Sequence, residues 1–272
     1  MKVVIAPDSF KESLTAREAG RAIAAGVVAV APDVQVDVCP MSDGGEGLVD
    51  ATVAATGGQV LTADVFDPLG SPIRARLGVL GGQVGGLLPG AIGLEAIDAR
   101  GRDVPVAGGQ TAVVEMAAAS GLMRVEPPRR DPLRTTTYGT GQLIKAALDA
   151  HPRRVIIGVG GSATCDGGAG AAQALGVEFF DADGERLPLG LAGGRLAEVA
   201  SIDVSGIDTR LAETDIVIAC DVSNPLLGPH GAAAVYAPQK GADPEGVAAL
   251  EDGLANLAAR IREHLDIDVI FP

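Results

Sequence analysis

The chain has 272 residues, 47% of them hydrophobic, enough to bury a core in one large domain or two smaller ones. Twenty-one basic against 35 acidic residues give a formal charge of −14, which repels nucleic acid and anionic membranes and confines any phosphate site to local features. Cys39, Cys165 and Cys220 are far apart and lack metal-ligand spacing, which excludes a disulfide framework and points to reduced thiols in a cytoplasm. The opening run MKVVIA is too short for a signal peptide, and no stretch reaches transmembrane length.

The first segment, Lys2 to Ala6, reads as a short buried strand of a parallel sheet, stopped by Pro7. Asp8-Ser9-Phe10-Lys11 follows as a loop, and a capping box at Thr15 and Glu18 starts a helix that runs to Val30. Asp8, Ser9 and Lys11 thus sit at the carboxyl end of a strand, where open α/β sheets bind ligands. Lys11 taken alone is equally well a solvated surface lysine. Gln35 to Cys39 alternates as a second strand, and the acidic loop PMSDGGEG leads into a helix over Gly47 to Ala55. Asp43 carries more weight there than Glu46, because acids in a first helical turn are favoured by the dipole alone.

Gln59 to Phe66 and Ile73 to Leu80 read as strands joined by DPLGSP, a turn placed where a domain crossing is expected. Gly81 to Gly109 has little periodicity and reads as an inserted loop or irregular hairpin. Thr111 to Met116 returns to strand character. LRTTTYGTG, residues 133–141, then precedes a helix over Gln142 to Ala150. Its hydroxyls, Thr137 and Thr140 included, suit either helix capping or a polar ligand beside Gly139.

The central stretch, Val155 to Gly176, reads VIIGVGGSATCDGGAGAAQALG. An apolar strand enters a loop with six glycines between Gly158 and Gly170, and an alanine-rich helix leaves it. Strand, glycine loop and helix aim backbone N–H groups at an anion. A ligand-free αβ turn is the competing reading, but it has no use for the embedded Ser162, Thr164 and Asp166. The loop is neither a GxxxxGK[ST] nor a GxGxxG fingerprint, which disfavours a Rossmann oxidoreductase. Beyond it lie a strand at Val177 to Asp181 and an apolar strand, Asp215 to Ala219, that ends in Cys220-Asp221. A short helix over Gly231 to Tyr236, a loop carrying Lys240, and a long helix from Asp243 or Pro244 follow. Ile270-Phe271-Pro272 looks like the start of another strand.

Loops after apolar strands therefore carry Asp8 and Lys11, Asp43, Ser162 and Asp166, Asp221, and Lys240. Phosphoryl transfer uses these residue types: lysines and glycine-loop N–H groups neutralise phosphate oxygens, carboxylates hold Mg²⁺, and one carboxylate accepts the acceptor's hydroxyl proton.

PDSFKES (7–13), DGGEG (43–47), TTTYGTG (135–141), GGSATCDGGAG (160–170), ACDVSNPLLG (219–228) and APQKGA (237–242) occur in this order. Together they resemble the bacterial type I glycerate kinases, over the whole chain except Gly81–Gly109, where that family is usually shorter. The resemblance implies an ATP- and Mg²⁺-dependent enzyme that phosphorylates D-glycerate, usually at the 2-hydroxyl, giving 2-phosphoglycerate, with 3-phosphoglycerate as the alternative product. It implies an α/β fold of two α/β domains. The first is discontinuous, Rossmann- or flavodoxin-like, with a parallel sheet, covering 1–69 and returning at 263–272; the second is inserted over 70–262. Carried onto this sequence, the motifs nominate Asp8, Lys11, Asp166 and Asp221 as catalytic. Ser9, Thr137, Gly139, Thr140, Gly160, Gly161, Ser162, Thr164, Gly167, Gly168 and Lys240 are nominated for substrate or phosphate, and Asp43, Asp166 and Asp221 for Mg²⁺. A small-molecule substrate, a cytoplasmic location, no nucleic acid or membrane partner and, as an allowed assembly, a homodimer complete the expectation. Members usually continue past this Phe-Pro with a GAGAAGG-like loop and a TGEG-like segment. The chain therefore reads as lacking the C-terminal part of the first domain, and an inactive anion-binding remnant is the alternative.

Overall fold

A computed structural model describes residues 1–10, 13–81, the backbone of 96–98, and 111–269. Lys11, most of the Gly81–Gly109 segment and the strand expected at Ile270 to Pro272 lie outside the described residues.

The described chain is a mixed α/β structure built on one six-stranded sheet. Its strands are β3 (Gln59–Phe66), β4 (Pro72–Val79), β5 (Ala96–Asp98), β6 (Thr111–Glu115), β7 (Arg154–Gly158) and β10 (Asp215–Ala219), in the order β3-β4-β6-β7-β10-β5. The middle three, β6, β7 and β10, run parallel; β4 is antiparallel to β3 and β6, and β5 is antiparallel to β10. The parallel strands read as unbroken apolar runs because both faces are covered, and all five residues of β7 are buried. Val113, Ile156 and Val217 face helix α2 (Leu48–Thr56) through Leu48 and Val49. Val114, Val155 and Ile157 face the side packed by helix α4 (Tyr138–Leu148), through Leu143, Ala147 and Leu148.

The boundary expected near 69–70 falls inside the β3–β4 hairpin. These strands pair over their whole length, from Gln59 with Val79 to Phe66 with Pro72, which keeps both in one sheet. Asp67 closes the turn by accepting the N–H groups of Leu69 and Ser71, each at 2.8 Å.

Strands β1 (Lys2–Ile5) and β2 (Gln35–Val38) form a separate parallel pair, crossed over by α1 (Ala16–Val30). The capping box read from Thr15 and Glu18 is present, with Thr15 Oγ1 accepting from Glu18 N–H and Glu18 Oε2 accepting from Thr15 N–H. A third hydrophobic cluster lies beside the sheet. It is formed by α5 (Ala169–Ala174), the antiparallel pair β8 (Glu178–Phe180) and β9 (Ser201–Asp203), α6 (Ala232–Tyr236) and α7 (Pro244–Leu265). Helix α7 starts where the sequence places it, with Asp243 accepting from Gly246 N–H at 2.8 Å and Pro244 at the first helical position.

Helix α4 begins at Tyr138, four residues earlier than the expected Gln142. Gly139 and Thr140 are therefore helical rather than loop residues. Tertiary packing overrides the poor helix propensity of glycine, because a Cβ at Gly139 would lie 1.9 Å from Phe66 O.

Candidate active site

Glu115, Gly158 and Ala219 end their parallel strands side by side, in one register. At this carboxyl edge a cavity of about 500 Å³ opens between the loops after β7 and β10 and the segment around Lys240. It gathers Asp43, Gly160, Gly161, Ser162, Asp221 and Lys240, six of the nominated residues, with an apolar wall that includes Leu122, Pro225 and Leu226. This is the edge at which open α/β sheets bind ligands.

Backbone packing brings the two acidic and glycine-rich loops together. Gly160 N–H donates to Gly44 O at 3.2 Å, and Val159 N–H donates to Ala219 O at 3.3 Å. A Cβ at Gly160 would lie 2.8 Å from Gly45 Cα, and one at Gly158 would lie 2.2 Å from Gly44 O. These glycines serve the close approach of one loop to another, which places Asp43 at the cavity. On the other side, Leu122 N–H donates to Gly161 O at 2.8 Å and Ala163 N–H to Ser120 O at 2.9 Å. Ser162 is thereby pinned between two strands of backbone.

Lys240 is 7% exposed, and its Nζ donates to Ser162 Oγ at 2.8 Å and to Thr164 O at 2.6 Å. The buried stem and two fixed acceptors hold the ammonium at the cavity wall. Thr164 contributes through its carbonyl and does not line the cavity. Asp43 and Asp221 are exposed carboxylates in the same cavity. Tyr236 was not singled out in the sequence, yet it lines this cavity too. Its hydroxyl donates to Asn224 Oδ1 at 2.6 Å. Burial first, then the charges of Asp221 and Cys220, push the Tyr236 phenol above its ordinary value.

Asp166 stands elsewhere. It is 1% exposed, and its Oδ2 accepts from Thr137 N–H and Thr137 Oγ1–H, each at 2.7 Å, and from Gly170 N–H at 3.2 Å. Its Oδ1 accepts from Gly168 N–H at 3.3 Å. Burial pushes this carboxyl up and the donors from Thr137, Gly168 and Gly170 oppose the shift. Asp166, expected as a catalytic and metal-binding residue, faces these donors as a structural tie and is absent from the cavity lining. The hydroxyl cluster is likewise turned inward. Thr137 Oγ1 also accepts from Ala171 N–H at 2.9 Å, Thr140 Oγ1 donates to Ser120 Oγ at 2.8 Å, and both threonines are buried. Gly139 packs on Phe66, and Gly167 packs toward Leu254 and Leu257. Gly168, at φ 80°, begins α5. None of these residues lines the cavity.

Ser9 opens onto a second cleft of about 330 Å³, shared with Phe10, Glu46 and Gly47. Asp8 lies next to it, with Oδ1 accepting from Ser9 N–H at 2.5 Å. The loop 43–47 separates the two clefts: Asp43 faces the larger one and Glu46 the smaller. Glu115 is a residue that sequence reading passed over. It has the same signal as Asp8 and Asp221, an acid at the carboxyl end of a strand.

Among the described residues no three His, Cys, Asp or Glu side chains gather as a metal cage. The three expected Mg²⁺ ligands divide, Asp43 and Asp221 facing the cavity and Asp166 turned inward. A pair of cavity carboxylates still fits Mg²⁺, which is typically held by one or two carboxylates together with substrate phosphates and water. A fixed lysine beside them fits the phosphates themselves.

Residues 3–270 match the glycerate kinase family. The chain is 48% identical to the glycerate kinase of Bacillus subtilis (strain 168) over 258 residues, 95% of this chain and 60% of that one. It is 44% identical to the glycerate 2-kinase of Escherichia coli (strain K12) over 269 residues, 99% of this chain and 63% of that one. A crystal structure of a protein provisionally called glycerate kinase 2, from Salmonella typhimurium LT2, superposes with a TM-score of 0.76 at 45% identity. That superposition covers 99% of this chain and 65% of the other. The chain thus spans 60% to 63% of the length of the two named relatives. No helix among the described residues is long and apolar enough to cross a membrane.

Proposed function

Since residues 3–270 match it, this chain belongs to the glycerate kinase family, and from that premise we propose that it transfers the γ-phosphoryl group of ATP to D-glycerate. The expected product is 2-phosphoglycerate, in line with the relative named glycerate 2-kinase. The observation that carries the proposal is the convergence of Asp43, Asp221, Ser162 and Lys240 on one cavity at the carboxyl edge of the sheet.

Bound MgATP supplies the transferable phosphoryl group and the charge neutralisation between its phosphates. The chain's own residues hold and orient it. Lys240, fixed by Ser162 and Thr164, presents a positive charge to phosphate oxygens at the cavity wall. Asp43 and Asp221 would hold the metal from opposite loops. Asp8 is proposed as the group that accepts the glycerate hydroxyl proton. Its Oδ1 is fixed by Ser9, and among the described residues its Oδ2 has no partner. Lys11 is proposed to neutralise the same substrate. The acceptor would enter from the Ser9 cleft and meet the donor beside the 43–47 loop.

The β1–α1–β2 unit is proposed as the start of the discontinuous domain. A cytoplasmic location agrees with three free cysteines, and a homodimer is compatible with this reading. The test is ADP release by the purified chain with ATP, Mg²⁺ and D-glycerate, followed by ³¹P identification of the product. Glycerate-dependent ADP release with a 2-phosphoglycerate signal is expected. ADP release that ignores glycerate, or nucleotide binding without turnover, overturns the proposal and favours the inactive anion-binding remnant.

A further inference from the structure

Helix α2 starts without a cap of its own. Its N-cap residue, Gly47, has φ 96° and no side chain to accept the first N–H groups. Those donors are met from outside: Glu115, 66 residues away at the end of β6, accepts from Val49 N–H at 2.6 Å and also from Gly47 N–H. The loop entering α2 is residues 43–47, which bears Asp43 and whose glycines pack on Gly158, Gly160 and Ala219. Glu115 thus links the carboxyl end of β6 to the first turn of the helix that carries this loop, beside the Arg76–Asp50 ion pair from β4.

We propose that Glu115 is a positioning residue, holding the Asp43 loop at the cavity by capping α2 from the carboxyl end of β6. The proposal rests on the reading of Asp43 as a metal ligand. A helix start can be capped locally by Ser, Asp or Asn at little desolvation cost. Here the fold uses a partly buried carboxylate whose pKa desolvation pushes up to about 7, against the opposing pull of the Val49 and Gly47 donors. The neighbouring Asp50 raises it further and Arg76 lowers it, while Glu46 and Arg124 line the same cleft of about 250 Å³. A carboxyl raised above its unfolded value of 4.5 contributes stability below that pH, and the contribution is lost as pH rises through about 7. Above neutrality the ionised Glu115 therefore weighs against the fold. A role in placing the Asp43 loop accounts for its presence.

Mn²⁺ binding in the presence of a non-hydrolysable ATP analogue, followed by electron paramagnetic resonance at pH 8, tests this on the full chain. Glu115→Ala is expected to weaken Mn²⁺ about tenfold, the usual scale for losing a group that orients a metal ligand. Glu115→Gln keeps the shape but offers one oxygen to two donors. It is expected to weaken Mn²⁺ by less, with an unchanged or raised melting temperature at pH 8. In turnover assays the metal requirement should rise while kcat at saturating metal stays within about twofold. Asp43→Asn separates the metal site from its support. If Asp43→Asn binds Mn²⁺ as the parent does, or the parent binds none, the cavity reading fails and the positioning role with it. If Asp43→Asn weakens Mn²⁺ but both Glu115 variants keep the parent affinity, the positioning role alone is overturned. Unchanged affinity with fewer binding-competent molecules overturns it equally, since a purely structural cap changes the folded fraction only.

Discussion

Residues 158–162 and 166–170 belong to one glycine-rich stretch, yet the first part opens onto the 500 Å³ cavity and the second is turned into the protein. In the first, the glycines let the 43–47 loop approach, and Ser162 and Lys240 meet at the wall. In the second, Asp166 collects donors from Thr137, Gly168 and Gly170 and joins the starts of α4 and α5. A glycine loop is thus two devices in series, one that shapes a site and one that fastens it. Substitutions in the first should damage activity, and substitutions in the second should damage stability.

The largest effect is expected at Asp166. Asp166→Ala leaves four hydrogen bonds without their acceptor in a buried setting, which should cost about 3–5 kcal/mol of stability. Urea unfolding measures it. The comparison breaks if the variant keeps the parent's stability and loses only turnover, because Asp166 would then act on the substrate.

Lys240→Met comes next. Loss of the ammonium from the cavity wall should cost about 2–4 kcal/mol of transition-state stabilisation. The stability loss should be nearer 1 kcal/mol, for the Thr164 carbonyl left without its donor. kcat/KM measured beside a melting curve separates the two. Near-normal turnover would remove Lys240 from the site.

These contrasts also show what the sequence could and could not disclose. β7 was legible because a strand buried on both faces has to be a continuous apolar run. Thr15 with Glu18 announced α1 because a capping box is local chemistry. Asp43 and Asp221 were legible as acids in loops after apolar strands and Lys240 as the one lysine of the loop after a short helix, and the cavity gathers all three. Asp166 has the same sequence context as a cavity acid. Its inward turn depends on Thr137, 29 positions away, and no local pattern encodes that. Glu115 carried the strand-end signal of Asp8 and Asp221, but its partners were hidden for the same reason, since the donors it meets belong to α2. The start of α4 was misplaced because Gly139 and Gly141 are poor helix formers held in place by Phe66 and Ala171.

The smallest effects give the finest test, because two single methyl groups should separate the two halves. Gly168 has φ 80° and nothing within 4 Å of an added Cβ, so Gly168→Ala meets only the left-handed backbone strain of about 1 kcal/mol. It should lower the melting temperature slightly and leave kcat/KM unchanged. Gly160 has no such backbone problem, but an added Cβ would lie 2.8 Å from Gly45 Cα and 2.9 Å from Gly45 N. Backbone cannot swing aside as a side chain does, so the 43–47 loop has to move, at a cost of about 1–3 kcal/mol. That movement carries Asp43 away from Ser162 and Lys240. Gly160→Ala should therefore raise the metal concentration needed for half-maximal activity, whereas Gly168→Ala should not. Parallel titrations of Mg²⁺ on the two variants read the difference directly. Equal metal requirements would mean that the close packing of the two loops does not set the position of Asp43, and the division of the stretch into a shaping half and a fastening half would fall.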